Sequence, residues 1–271
     1  MTIKNCEYFL IALGLILAVA VSEKLIPFVT AMLVAIFAAA LWLYDYFTKR
    51  NNQIGFYVSW SCAIVLGILV GIYRPHNFNY PMVFSVERFY DGGLPLSLYI
   101  NVAKFFAGII ILYFLLSSKA IAPVYIQSRL KQFAFALLLA ILVLSLAYRV
   151  LDLQFHAKAL KYIVLFGFAN LIVTCLAEEA FMRLLLQAQI QTFISSIVKQ
   201  RFLQELIPLI VTTFIFVLTH FVHGFNFILV FTVAGFCYGL VYSLTKNVWA
   251  CIAVHFAVNI IHFSFLTYPI A

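Results

Sequence analysis

Two adjacent glutamates, Glu178 and Glu179, sit inside the apolar stretch LIVTCLAEEAFMRLLLQ. An ionisable side chain within a hydrocarbon-length helix costs about 2.5–3.5 kcal/mol on insertion scales, so the pair needs either a partner or a use. Arg183 is the partner. It stands i,i+4 from Glu179 with the acid N-terminal, which stacks the two on one helix face. Glu178 is turned about 100° from Glu179 and cannot easily share that arrangement. The spacing assigns Glu179 to neutralising Arg183 and leaves Glu178 for chemistry. The plainer alternative is that all three form one stabilising network. Two later apolar stretches add His220 in FIFVLTHF, with Phe216 one turn before it, and His255 with Asn259 in CIAVHFAVNI. The i,i+4 spacing of His255 and Asn259 puts both on one face. His223 and His262 are also present. A lone histidine in a helix bundle is more often packed and hydrogen-bonded than catalytic. A glutamate pair, two histidines and an asparagine on three separate apolar helices are harder to dismiss, because each carries its own desolvation cost. The other acids (Glu7, Glu23, Asp45, Glu87, Asp91, Asp152, Glu205) all fall in loops or near span ends.

Glu178-Glu179-Ala-Phe-Met-Arg183 has the form EExxxR, Phe216 to His220 the form FxxxH, and His255 to Asn259 the form HxxxN. Phe231, Gly235 and Gly239 form an FxxxGxxxG run between the last two. In these motifs and their order the chain resembles the CAAX-protease and bacteriocin-processing (CPBP, Abi) family of intramembrane endopeptidases, over roughly residues 165–262. The resemblance implies a glutamate-type protease. Glu178 would be the general base that activates a water, with His220 helping to hold or polarise it. His255 and Asn259 would donate hydrogen bonds to the oxyanion of the tetrahedral intermediate, a form of stabilisation that is strong in a low-dielectric site. Glu179, Arg183 and Phe216 would support them. No cofactor is expected. Zinc is the competing mechanism, since Glu178, His220 and His255 could supply two nitrogens and one oxygen, but the sequence has no HExxH and Asn259 suits an oxyanion better than zinc. Eukaryotic members trim prenylated CAAX proteins, and bacterial members are associated with peptide maturation, bacteriocin immunity or processing of sorted surface proteins. Nothing in the sequence selects among these.

The elements that must position these groups follow from composition. Of 271 residues, 66% are hydrophobic and only 10% charged, against roughly 25% charged in a soluble domain. The apolar residues come in blocks of about 17–25, the length a helix needs to cross roughly 30 Å of hydrocarbon. The expected fold is an all-α membrane protein, a polytopic bundle of eight or nine transmembrane helices. Nine are read, near 7–22, 27–47, 55–73, 96–116, 132–151, 160–187, 206–223, 227–244 and 248–268. The stretch from Arg74 to Pro95 carries prolines, asparagines and Gly92-Gly93, and reads as a surface loop. Residues 1–155 are taken as N-terminal transmembrane helices of unassigned role, and 156–271 as the catalytic core. Counted along straight spans, His220 and His255 fall at unequal depths, about 21 and 10 Å from the cytoplasmic face.

The net charge of +8 reflects loop lysines and arginines that fix orientation; no run exceeds Lys49-Arg50, so nucleic acid is not an expected partner. With the N-terminus cytoplasmic, Lys4, Lys49, Arg50, Lys119, Arg129, Lys131, Lys199, Arg201 and Lys246 lie inside, nine against six outside (Lys24, Arg74, Arg88, Arg149, Lys158, Lys161). Cys6, Cys62, Cys175, Cys237 and Cys251 are scattered singly and read as small apolar residues. Gly67/Gly71 and Gly235/Gly239 are GxxxG pairs whose default meaning is helix packing. No cleavable signal peptide is evident. The expected setting is a multi-pass cell-membrane protein acting on a membrane-anchored protein or peptide. A bacterial cytoplasmic membrane suits the chain, with the endoplasmic reticulum as the alternative. From other classes, a proton-coupled transporter would call for an inverted repeat that is not visible, and an immunity or scaffold protein would keep the fold without the chemistry.

Overall fold

The computed structural model describes residues 3–116, 124–221 and 223–269. Lys119, counted above among the inside charges, lies outside the described residues, as do the side chains of Lys4 and Cys6. The order is α1 (Ile3–Ser22), α2 (Phe28–Lys49), α3 (Gln53–Ile72), β1 (Met82–Val86), β2 (Leu96–Tyr99), α4 (Val102–Leu115), α5 (Arg129–Val150), α6 (Leu160–Ile197), α7 (Arg201–Thr219), α8 (Phe225–Thr245) and α9 (Val248–Phe265). Seven of the described helices are long and apolar enough to cross a membrane, and Glu7–Ser22 and Val102–Leu115 are shorter apolar helices. This is the polytopic all-α membrane architecture that the composition implies.

Local chemistry sets the helix ends. Pro27 precedes α2 in extended conformation. Asn52, Asn101 and Asn247 cap α3, α4 and α9, each accepting a backbone N–H of the first turn with its side-chain oxygen. Three expectations are corrected. The stretch from 74 to 95 is not loop throughout, because 82–86 pairs with 96–99 in a two-stranded sheet. The helix expected from 96 starts at Val102, since the preceding residues are β2 and Asn101 is the cap. The sixth helix runs ten residues past 187 to Ile197, and the seventh starts at Arg201 and ends at Thr219, not at 223.

The chain divides into two compact units. In the first, α2 packs on both α3 and α4, and Val34, Phe37 and Leu41 of α2 are fully buried. Gly55 of α3 lies against the Phe47 ring, where a Cβ would come within 2.5 Å. The second unit holds residues 83–98 and α5–α9. α5 lies on the N-terminal side of the boundary drawn at 155, yet it packs against α8 and α9. Phe84 of the hairpin, Phe166 of α6 and Phe263 of α9 form a buried aromatic cluster; the last two rings stack at 3.9 Å. Residues 154–158 run antiparallel to 264–267 through backbone bonds such as His156 N–H to Phe265 O, 2.7 Å.

Candidate active site

α6 is not a uniform α-helix. It widens to π geometry at Asn170–Cys175 and again at Ala180–Gln187, leaving Leu176–Glu179 as an α-helical turn between. Such π-bulges change the direction in which successive side chains leave the helix, and they recur at functional sites. Here they flank Glu178 and Glu179.

Glu179 is fully buried and makes two bonds. Oε2 accepts from Arg183 Nε at 2.8 Å, as the i,i+4 spacing predicts, and Oε1 lies 2.9 Å from His255 Nδ1 on α9. Arg183, also fully buried, donates from Nη1 to Gln187 Oε1 at 2.8 Å. Gln187 Nε2 in turn donates to Gly239 O and Ser243 Oγ on α8, both at 3.0 Å. A buried charge without partners would be prohibitive, so this chain of bonds is what lets Arg183 sit in the core. Because Arg183 holds Glu179 as a carboxylate, His255 Nδ1 is the donor in their bond.

Glu178 is less enclosed, with 19% of its side chain exposed. Its Oε2 stands 3.8 Å from His220 Nε2 and 3.9 Å from His255 Nε2. His220 sits at the C-cap of α7, and its Nδ1 is 2.7 Å from Phe216 O. A carbonyl can only accept, so Nδ1 carries a proton and donates it to Phe216 O, leaving Nε2 to face Glu178. The ring packs on Phe216 (4.3 Å) and Phe231 (4.8 Å). His255, 4% exposed, stacks on Tyr238 with ring centroids 4.8 Å apart and planes 21° apart. Asn259, one turn along α9, donates to Asn170 Oδ1 at 3.3 Å. His223 is exposed and His262 bonds Thr267 O at 3.1 Å; neither joins the site.

His220 and His255, expected at unequal depths from straight spans, both come within 4 Å of Glu178 Oε2. At the α8–α9 turn, Lys246 Nζ meets Gln191 Oε1 (3.1 Å) and Glu205 Oε2 (2.7 Å), well inside α6 and α7. The α6–α7 turn therefore lies beyond the α8–α9 turn, and the two do not mark one level. Burial lowers the Lys246 amine from its ordinary value, and Glu205 opposes that shift.

The glycines of α8 have a more specific meaning than helix packing. A Cβ on Gly235 would stand 2.8 Å from Phe216 Cδ1; one on Gly239 would stand 2.5 Å from Leu209 Cδ1 and 2.9 Å from Arg183 Nη1. These two positions admit the Phe of FxxxH and the Arg of EExxxR. A Cβ on Gly71 would meet nothing within 4 Å, so no close approach requires that glycine.

Asn170, Tyr238, Gln187 and Ser243 were not singled out in the sequence. Asn170 and Gln187 each interrupt an apolar stretch, a signal of the kind that marked Glu178; the type and spacing of Tyr238 and Ser243 carry none. Among the described residues, no group of three His, Cys, Asp or Glu side chains is arranged to hold a metal ion.

No curated protein and no solved structure matches the chain. A family model does match, and its span takes in Glu178, His220, His255 and Asn259 together. Residues 159–261 match the family described as Type II CAAX prenyl endopeptidase Rce1-like.

Proposed function

We propose that the protein is an intramembrane endopeptidase that hydrolyses a peptide bond of a membrane-associated protein or peptide through a water activated by Glu178. The observation that carries this reading is the approach of Glu178 Oε2 to the Nε2 atoms of both His220 and His255, at 3.8 and 3.9 Å, from three different helices. A water oxygen about 2.8 Å from each of two such atoms spans the gap with ordinary hydrogen bonds. The family match supports CAAX-type protease activity for this segment.

Glu178 takes a proton from that water while the water oxygen bonds to the scissile carbonyl carbon. His220, its tautomer fixed by Phe216 O, accepts the second water proton through Nε2 as a hydrogen bond. The carbonyl oxygen becomes an oxyanion and receives N–H from Asn259 and, when the ring carries both protons, from His255 Nε2. Glu179 keeps Nδ1 of His255 bonded throughout. Collapse of the tetrahedral intermediate breaks the C–N bond, and the proton held by Glu178 goes to the leaving amine. The products are a carboxylic acid and an amine, and transfer of the acid's proton to the amine leaves a carboxylate and an ammonium.

Zinc is the competing reading of the same groups, in which the Nε2 atoms of His220 and His255 would face the metal, although Glu178, His220 and His255 are not arranged as a metal-holding group here. The deciding experiment incubates purified wild type and Glu178→Ala, with and without a strong chelator, with prenylated CAAX peptides and unprenylated membrane-anchored peptides. Cleavage that survives the chelator and vanishes in the variant supports the glutamate mechanism. Cleavage lost to the chelator moves the chemistry to zinc. A Glu178→Ala protein that cleaves as well as wild type makes Glu178 structural and overturns the proposal. The N-terminus is proposed to be cytoplasmic, which a terminal topology reporter checks.

A further inference from the structure

Asn170 and Cys175 are five residues apart, which on a regular α-helix separates their directions by about 140°. In the wide turn Asn170–Cys175 they meet: Cys175 Sγ donates to Asn170 Oδ1 at 3.1 Å. The same oxygen accepts from Asn259 Nδ2, 89 positions later in the chain, at 3.3 Å. Asn259 Nδ2 also lies 3.8 Å from Cys175 Sγ. Cys175 is fully buried and Asn170 is 9% exposed, so water competes little for these bonds. A carboxamide nitrogen has two N–H groups. Once one of them is donated to Asn170, the plane of the Asn259 amide and the direction of its other N–H are set. Asn170 stands eight residues before Glu178 on α6, so the helix that presents the carboxylate also carries the acceptor that orients the amide.

We propose that Asn170 is a positioning residue for hydrolysis: held in place by the π-turn, it aims the second N–H of Asn259 at the oxyanion. This rests on the reading of Asn259 as an oxyanion donor. Losing such a donor costs about 10²–10³ in kcat, and misplacing a group by about 1 Å can cost about 10²-fold.

The test measures kcat, KM and thermal unfolding in detergent for the full-length chain on a peptide that wild type cleaves. The variants are Asn170→Leu, Asn170→Asp, Asn259→Ala and the double variant Asn170→Leu/Asn259→Ala. Asn170→Leu is expected to lower kcat about 10–100-fold with little change in KM. Asn170→Asp keeps the acceptor oxygen and recovers most of that loss. In the Asn259→Ala background, Asn170→Leu adds nothing further, because the two act as one unit. The same loss with or without Asn259 would mean a merely structural role and overturns the proposal, as do equal losses in the Leu and Asp variants. Should Asn170→Leu fail to fold, Asn170→Ala takes its place in the cycle. If Asn259→Ala matches wild type, the donor reading itself falls and takes this proposal with it. If Asn259→Ala is impaired and Asn170→Leu is not, only the positioning role falls.

Discussion

Glu179 Oε1 lies 2.9 Å from His255 Nδ1 while Oε2 of the same carboxylate holds Arg183 Nε at 2.8 Å. One buried side chain thus joins the two helices that carry the candidate base and the candidate oxyanion donors. It fixes which nitrogen of His255 faces Glu178, and it does so 76 residues across the chain.

Removing one member of that ion pair leaves the other charge buried and uncompensated. Arg183→Met is expected to destabilise the protein by about 3–5 kcal/mol. The double variant Glu179→Gln/Arg183→Met removes both charges and is expected to recover part of the stability but none of the activity. Unfolding midpoints in detergent for the single and double variants check the order. A single variant as stable as wild type would contradict the burial described here.

The α8 glycines give a graded prediction. Gly239→Ala forces a Cβ to 2.5 Å from Leu209 and 2.9 Å from Arg183 Nη1, and Gly235→Ala forces one to 2.8 Å from Phe216. Overpacking of this kind costs about 1–3 kcal/mol. Gly71→Ala meets open space and gains about 0.5–1 kcal/mol of helix preference. The two α8 variants are expected to melt below wild type and Gly71→Ala at or above it.

Tyr238 supports the His255 ring by stacking, and a phenylalanine does the same. Tyr238→Phe is expected to keep kcat within about threefold, whereas Tyr238→Leu leaves the imidazole without its aromatic face and lowers kcat about tenfold or more. Parallel kinetics of the two variants test this. Equal losses would assign the effect to the hydroxyl instead.

Lys158, in the connection before α6, is buried, donates to Leu266 O, and has its amine pushed down from 10.5 to about 8 by desolvation. Below pH 8 the amine is protonated both folded and unfolded, and the burial cost is fully present. Between about 8 and 10.5 the unfolded chain binds the extra proton, so stability rises with pH across that window. Unfolding midpoints at pH 7 and pH 9.5 should therefore rise more for wild type than for Lys158→Met. Equal changes in both would count against a depressed amine.

The class of the protein was legible from composition alone, since so few charges cannot cover a soluble surface of this size. Glu178, His220, His255 and Asn259 stood out because a polar group in a hydrocarbon-length helix is costly. The Glu179–Arg183 pair followed from i,i+4 geometry on one helix. The strands at 82–86 and 96–99 were missed because turn residues between them dominate the local signal and the pairing partner lies ten residues away.

What lay within one helix, or depended on transfer from water to lipid, the sequence determined by itself, because those energies are local and nearly additive along the chain. The approach of Glu178 to both histidines, the bond between Glu179 and His255, the grip of Asn170 on Asn259 and the fit of Phe216 and Arg183 against Gly235 and Gly239 were decided by tertiary structure. The contacts of α6 depend on π-turns that redirect side chains, and all of them depend on how far each helix is shifted along its neighbours. Spacing along the chain does not encode either displacement, because both are set by packing between segments far apart in sequence.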